Sequence, residues 1–313
     1  MSAKYNPLHD LEHLVALAFE CLKGVDRAEL KRPHRRQAIA ALKSVCLIGD
    51  AVLRIHPESC FYSDSGQKVW NPTGLAALTR VLMEAAVNVH YFSDTGVSEH
   101  ELEFRAMIAA LHYLRERQDT ARTLQAGRPP EPPVPDDWSN VDPGDHPRLL
   151  AQMKREGIPN QLAFWQEQLK QNRFFQGLPQ RDQDKWLCGK GLFKEERYRG
   201  GEQDAGFASR LDQRAGRAGV SGAKYRALRR HFSAHIHSAP HALDQVVWFQ
   251  PFDPIAVDTQ INLPIMVCAA HVGLAIECFV KAFPNCSASL DSQRRSLLAT
   301  GRAYLWLLND SSS

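Results

Sequence analysis

The chain has 313 residues, of which 44% are hydrophobic and 23% charged. This is the composition of a globular protein, and it excludes a disordered chain, a collagen or a coiled-coil rod. Thirty-eight Lys and Arg against 35 Asp and Glu leave a net charge of +3, too small to draw nucleic acid or an anionic membrane to the whole surface. Any polyanion site must therefore come from local clustering of charge.

Apolar residues recur at helical spacing in four segments of the N-terminal part: from Pro7 to Gly24, from Pro33 to Ile55, from Asn71 to Phe92, and from Ser98 past Leu114. Asn71 followed by Pro72 is typical of an N-cap and a first-turn proline. Ser98 with Glu101 three residues later is typical of a capping box. These patterns predict four helices within residues 1–126.

Composition changes between Pro129 and Pro147, where seven of the 18 prolines mix with four aspartates. We interpret residues 127–147 as an exposed acidic connector between the N-terminal helices and the C-terminal helices at 148–313. Helices are predicted in the C-terminal part at 159–175, 224–237, 254–283 and 290–308. The basic segment at 178–222 holds eight glycines, so its sequence does not show whether it forms ordered structure.

The segment from Thr259 to Ile276 carries no formal charge over 18 residues and resembles a membrane span. Gln260, Asn262 and His271 within it oppose insertion, so we interpret it as a central helix covered by other helices. The fold predicted is an all-α bundle of about seven to nine helices, to which both halves of the chain contribute.

The cysteines and the N-terminal residues indicate the cellular compartment of the protein. Seven cysteines without a Cys-x-x-Cys pair are typical of free thiols in a reducing compartment. Residues 1–7 lack a basic region followed by an apolar run, so no secretory signal is expected. We expect a cytoplasmic protein that has no membrane partner and no cofactor.

Four of the 13 histidines fall between His231 and His241, directly after a basic stretch. Residues 181–231 hold 13 Lys or Arg against seven Asp or Glu, a local excess that can hold phosphates or can simply be a solvated basic face. On a helix, Tyr225, Leu228, Phe232 and Ile236 form an apolar stripe, with His231 and His235 along its edge. Arg230 and His237 share the polar side, with Ser233 nearby, near the end that Pro240 imposes.

An arginine and a histidine on one polar face are suited to metal-independent cleavage of RNA. The imidazole takes the proton of a ribose 2′-hydroxyl, and the guanidinium stabilises the charge on the phosphate. The spacing Arg-x4-6-His fits Arg229 with His235, and it fits Arg230 with both His235 and His237. Chance alone gives about three such matches in this composition and six occur, so the spacing has low specificity.

The same histidines allow a metal site, since His231 and His235 are one turn apart. No acidic residue lies between Asp212 and Asp244 to complete it, so no metal site is assigned. His271, within the most apolar segment, is interpreted as a hydrogen-bonded core histidine.

Arg80 and Glu84 form a second polar pair, inside the otherwise apolar third helix. They are one turn apart and can pair. A partly buried ion pair contributes little to stability. The pair is therefore either a structural pin or part of a site that holds phosphate or orients a catalytic residue.

Two blocks of the sequence resemble the HEPN superfamily (higher eukaryote and prokaryote nucleotide-binding), through a large set of all-helical bacterial proteins. The first block is Leu-Thr-Arg80-Val-Leu-Met-Glu84 with Tyr91 after it, and the second is Tyr225-x7-Ser233-x3-His237-Ser238 with Pro240. Together they cover about thirty residues.

The resemblance implies a helical bundle, a homodimer, and a site at the junction of the Arg80 and His237 helices. Many HEPN proteins are toxin or defence ribonucleases in which Arg-x4-6-His motifs of two protomers meet. The resemblance implies that His237 or His235 is the general base and that Arg230 or Arg229 binds the phosphate. Two arginines and three histidines fit the motif spacing, so the resemblance does not select one pair. Other HEPN proteins only bind nucleotides or proteins, so enzyme status does not follow.

The leading hypothesis is thus a HEPN-like protein with a metal-independent endoribonuclease site, acting on RNA. Its catalytic candidates are Arg230, His237, His235, Ser233 and Arg229, with Arg80, Glu84 and Tyr225 as supporting or phosphate-binding residues. The alternative is a helical module that binds nucleic acid, nucleotide or protein without catalysis. A weaker alternative is a metalloprotein that uses His231 and His235.

Overall fold

The computed structural model describes residues 6–61, 70–125, 146–187, 211–236, 253–287 and 290–310. Every regular element in these ranges is helical, which confirms the predicted all-α fold. The ranges contain twelve α-helices, more than the seven to nine expected. In chain order they are α1 Pro7–Lys23, α2 Pro33–Ile55, α3 Pro72–Ser93, α4 Glu99–Gln125, α5 His146–Gln171, α6 Arg173–Gln176, α7 Gln180–Leu187, α8 Leu211–Arg217, α9 Gly222–Ile236, α10 Pro254–Ala282, α11 Pro284–Ser287 and α12 Ser292–Asp310.

The additional helices are short. Helices α6 and α11 have four residues each, α8 has seven and α7 has eight. A segment of one or two turns is too short to show a recurring apolar stripe, so sequence periodicity misses it. Residues 127–145 of the acidic connector predicted at 127–147 lie outside the described residues. Residues 188–210 of the glycine-rich segment also lie outside them.

Three helix starts have side-chain caps, and those at Asn71 and Ser98 were predicted from the sequence. The side-chain oxygens of Asn6 and Asn71 accept hydrogen bonds from the backbone N–H groups of His9, at 3.3 Å, and Gly74, at 2.8 Å. Ser98 Oγ accepts from the backbone N–H of Glu101 at 3.2 Å. Each cap satisfies an N–H group that the first turn of a helix leaves without an intrahelical partner.

The chain forms two compact units. Unit 1 comprises Met1–Val97 and Glu195–Ser313, and unit 2 comprises Ser98–Lys194. In unit 2, α4 packs against α5 and α6, and the ring of Phe104 contacts those of Phe175 and Trp186. Unit 1 contains both blocks of the sequence that carry the predicted site.

Unit 1 is built around α10, which packs against α1, α2, α3 and α12. Ten consecutive residues, Val267 to Ile276, are buried, because α10 has neighbours on most sides. The helix is long and apolar enough to cross a membrane, with a mean hydropathy of 2.0 over 18 residues, and 83% of that window is buried inside the protein. This burial agrees with the central helix predicted from the sequence.

Candidate active site

Helix α9 presents an apolar stripe to the core of unit 1 and packs against α3 and α8. Tyr225 and Phe232, seven residues apart, are both fully buried. Two helical turns separate them, so they lie on the same face of the helix. Two of the four residues of the predicted stripe are thus buried, whereas Leu228 is half-buried and the side chain of Ile236 is not among those described. The packing of this face directs the residues beside it towards α3.

The C-terminal helix fixes the start of α9. Asn309 on α12 accepts a hydrogen bond from the backbone N–H of Ser221 at 2.9 Å and donates one to Gly219 O at 3.0 Å. Lys224 Nζ also donates to Asn309 O. Gly219 has a φ of +88°, a left-handed conformation that glycine adopts without steric cost.

The charged centre of the site joins α3 to α9. Glu84 on α3 accepts from Arg229 Nε at 2.7 Å and from Arg80 Nε at 3.3 Å, through the same oxygen, Oε1. Arg80 precedes Glu84 by one turn on α3, as the sequence predicts, whereas Arg229 lies 145 residues further along the chain. We call these three residues the arginine–glutamate cluster.

The cluster is half-buried and carries a net positive charge. The side chains of Arg80, Glu84 and Arg229 are 21%, 30% and 20% exposed. Two guanidinium groups and one carboxylate sum to +1, and partial burial weakens the screening by solvent. A guanidinium has five N–H donors, so a second oxygen ligand can bind beside the carboxylate.

A third arginine lies deeper in unit 1, next to the same face of α3. Arg214 on α8 is 1% exposed, and its Nη1 donates to Asn88 Oδ1 at 3.0 Å. Its guanidinium carbon lies 3.8 Å from the ring centroid of Tyr91, a cation–π contact. Arg214 thereby adds positive charge behind the cluster and ties α8 to α3.

Tyr225 is fully buried, and its hydroxyl has no hydrogen-bond partner among the described residues. Burial raises its pKa above the ordinary value, and the nearby carboxylate of Glu84 raises it further. The hydroxyl is therefore neutral at physiological pH. The sequence predicted Tyr225 to be a supporting or phosphate-binding residue, and its burial in the structure separates it from solvent.

His271 lies behind Tyr225, with 6.4 Å between the two ring centroids. It is fully buried, and its Nδ1 lies 2.8 Å from Val267 O. Because a carbonyl only accepts hydrogen bonds, Nδ1 carries the proton of the neutral ring. Burial lowers the pKa of His271 to about 4. These contacts suit a core histidine, the interpretation favoured from the sequence.

The remaining predicted site residues are Arg230, Ser233, His235 and His237. Arg230 is exposed, so Arg229 is the arginine of α9 that contacts Glu84. Ser233 is half-buried, and its hydroxyl donates to Arg229 O at 2.6 Å. His235 is on α9, but its side chain is not among those described, and His237 lies outside the described residues. Their predicted roles stay predictions.

Sequence reasoning missed the contact between Arg229 and Glu84, and it missed Arg214 and Asn88 altogether. A recognisable signal was present on α9, because Tyr225, Arg229 and Ser233 recur every four residues and so share one face. Arg214 lies in the glycine-rich segment, where no helix was predicted. No sequence signal pointed to Asn88.

In the described ranges, no group of three or more His, Cys, Asp or Glu side chains is placed to hold a metal ion. Comparison of the chain with protein-family models, curated proteins and solved structures gives no match. The chemistry of the arginine–glutamate cluster is therefore the basis for a functional assignment. Two guanidiniums held by one carboxylate can bind and polarise a phosphate group.

Proposed function

We propose that the chain is a HEPN-like, metal-independent endoribonuclease that binds an RNA phosphate at the arginine–glutamate cluster. The observation that carries the proposal is the convergence of Arg80 and Arg229, from two helices, on Glu84. Two arginines on a half-buried surface are an unfavourable arrangement for stability alone. The same arrangement favours the binding of an anion with several oxygens.

Glu84 acts as a positioning residue in this proposal. Its Oε1 holds the Nε atoms of both arginines, which restricts the planes of the two guanidiniums before a ligand binds. A phosphodiester then meets donors that are already oriented and loses less entropy on binding. The positive charge also stabilises the additional negative charge that develops on the phosphorus-bound oxygens during cleavage.

The general base in the proposal is His237 or His235. Either imidazole would take the proton from the ribose 2′-hydroxyl, whose oxygen attacks the neighbouring phosphorus. The P–O5′ bond breaks, and the leaving oxygen takes up a proton. The products end in a 2′,3′-cyclic phosphate and a 5′-hydroxyl, and no metal ion takes part.

The proposal includes a homodimer in the cytoplasm, in a toxin or defence context. The dimer would bring the histidines of one protomer near the arginines of the other. Light scattering on the purified protein tests the oligomeric state directly. A monomer at the concentrations that cleave RNA would remove the dimer from the proposal.

A binding module without catalysis is the second candidate, and one observation favours it. The described cluster contains two cations and a carboxylate that is already paired with both. This arrangement can bind phosphate without a base. The same basic surface would then hold RNA or a nucleotide and leave it intact.

The deciding experiment incubates the purified protein with mixed RNA in excess chelator. We expect cleavage with 2′,3′-cyclic phosphate ends, abolished by His237→Ala or His235→Ala and weakened by Arg229→Ala. The matched control is Arg54→Ala on α2, which removes the exposed partner of Asp50, 2.7 Å away, and which should cleave as wild type does. Arg229→Lys serves as a second variant that keeps the charge if Arg229→Ala fails to fold.

Each result has a defined meaning. RNA that is retarded on a gel but stays intact supports the binding module and overturns the enzyme. RNA that is neither bound nor cut overturns both. Cleavage that survives both histidine substitutions overturns the assigned base.

A further inference from the structure

Two histidines on the first turns of α1 form an exposed pair, which shares no residue with the arginine–glutamate cluster. His9 and His13 are one turn apart and exposed, and their Nε2 atoms form a hydrogen bond of 3.2 Å, in which one ring donates to the other. Their ring centroids lie 4.4 Å apart, with the rings at 68°. The two Nε2 atoms thus face each other at the protein surface.

This spacing is that of two nitrogen ligands on one metal ion. Zinc binds imidazole nitrogen at about 2.0–2.1 Å in tetrahedral geometry, which places two such nitrogens roughly 3.3 Å apart. The 3.2 Å between the Nε2 atoms matches that separation. An ion would replace the hydrogen bond between the two rings, at a separation close to the one that the two nitrogens already have.

We propose that His9 and His13 chelate a divalent transition-metal ion, represented by Zn²⁺, through their Nε2 atoms. Solvent exposure of both rings allows water to complete the coordination shell. No group of three or more His, Cys, Asp or Glu side chains in the described ranges is placed to hold a metal, so the described residues supply two ligands. A site of this kind exchanges its ion readily.

Neighbouring charge favours a cation at this position. Glu12 lies close enough to His9 for the two side chains to interact electrostatically. Glu12 is held in place by Ser59 Oγ and by the backbone N–H of Cys60, each donating to Oε1 at 2.9 Å. Asp10 follows His9 directly and accepts from Tyr304 Oη at 2.6 Å. Glu12 thus places a fixed carboxylate near His9, whereas the carboxylate of Asp10 is engaged by Tyr304.

Ligand type defines the class of ion. Imidazole suits Zn²⁺, Cu²⁺ and Ni²⁺, whereas Mg²⁺ prefers oxygen ligands. The site does not depend on the proposed ribonuclease, which is tested in excess chelator. The ion would bridge two turns of α1 and stabilise the folded state in proportion to its occupancy.

The test titrates ZnCl₂ into the metal-free protein and compares wild type with His9→Gln and His13→Gln. We expect one zinc ion per site in wild type and an affinity about tenfold or more weaker in either variant, because each loses half of the chelate. The matched control is His231→Gln, which removes a histidine from α9 and should keep the α1 site. Magnesium should not compete.

A direct readout is the ¹⁵N chemical shift of the imidazoles, which reports the atom that binds the ion. We expect zinc to shift Nε2 of both His9 and His13. Unchanged shifts, or equal zinc affinity in wild type and the two α1 variants, would overturn the proposal. Loss of binding in His231→Gln alone would do so as well, by moving the site to α9.

Discussion

Gly273 on α10 lies directly against Gly301 on α12, so that a Cβ atom on Gly273 would come within 3.0 Å of the Cα atom of Gly301. A Cβ on Gly301 would in turn come within 3.1 Å of Gly273 Cα. The neighbouring atoms belong to the backbone and cannot turn away as a flexible side chain can. The absence of side chains at both positions allows the two helices to cross this closely.

Gly273→Ala should therefore destabilise the protein. The added methyl group forces the backbones of α10 and α12 apart, and overpacking of this kind costs about 1–3 kcal/mol. The higher helix propensity of alanine returns at most about 1 kcal/mol. Urea unfolding of wild type and variant measures the difference in free energy of unfolding.

The control for this substitution is Gly216→Ala on α8, where nothing lies within 4 Å of the added Cβ. This variant should keep or slightly raise the stability, by up to about 1 kcal/mol. Equal effects at positions 216 and 273 would show that helix propensity, and not close approach, governs both glycines.

His271 should make the protein less stable in mild acid. Its pKa is lowered to about 4 by burial, below the value of about 6.5 in an unfolded chain. The unfolded state therefore binds more protons, and stability falls as the pH drops from about 6.5 towards 4. By pH 5 the titration of His271 lowers the free energy of unfolding by about 2 kcal/mol.

The measurement compares the free energy of unfolding at pH 7 and pH 5 in wild type and in His271→Leu. The variant should lose less stability over this interval. An equal loss in both proteins would contradict the prediction. If His271→Leu does not fold, NMR titration of the wild-type ring should show that His271 remains neutral at pH 5.

Tyr225→Phe should leave the stability unchanged or raise it by up to about 1 kcal/mol. Its hydroxyl is buried without a hydrogen-bond partner among the described residues, so removing it relieves a desolvation cost. RNA binding should stay at the wild-type level, because the side chain is fully buried. Thermal unfolding and gel retardation measure the two effects.

For comparison, Phe232→Ala removes a buried ring from the same stripe and should cost about 3–5 kcal/mol. A loss of RNA binding in a stable Tyr225→Phe protein would show that the hydroxyl reaches phosphate, as the sequence predicted. That result would bring Tyr225 into the binding site.

Glu84→Gln should strengthen RNA binding and slow cleavage. Loss of the carboxylate raises the net charge of the cluster from +1 to +2. The slope of the logarithm of the binding constant against the logarithm of the salt concentration should therefore become steeper by up to about one unit. The two arginines lose the group that orients them, so the rate of the chemical step should fall. Filter binding at several salt concentrations and single-turnover cleavage separate the effects.

The control for this variant is Glu101→Gln in unit 2, which also removes a carboxylate paired with an arginine, at 2.6 Å. It should leave the slope at the wild-type value. Weaker RNA binding with a steeper salt dependence in Glu84→Gln would mean that loss of the oriented donors outweighs the added charge. An unchanged salt dependence would mean that the cluster does not hold the phosphate.

Helix identity in unit 1 was predictable because its signals are local. Asn71 and Pro72 specify the start of α3 within four residues, and ten consecutive buried residues of α10 follow from a segment without charge. The short helices were not predictable, because one turn shows no period. The boundaries of unit 2 were not predictable either. Composition shows which segments of a chain are polar, but it does not show which helices pack together.

The site was predictable only in part, for a similar reason. Helical periodicity placed Arg80 next to Glu84 correctly, since the two are on the same helix. It predicted that Arg230 shares the polar side of its helix with His237; Arg230 is exposed, and its role stays a prediction. Arg229 is at the edge of the buried stripe, and only the packing of α9 on α3 shows that it meets Glu84.

The sequence separation of 145 between Glu84 and Arg229 also affects the order of events during biosynthesis. The ribosome releases α3 long before α9 is made, so the two helices cannot meet until most of the polypeptide has emerged. Distant pairings of this kind raise the contact order and slow folding relative to a bundle of adjacent hairpins. A nascent chain that stops short of α9 therefore lacks the assembled site.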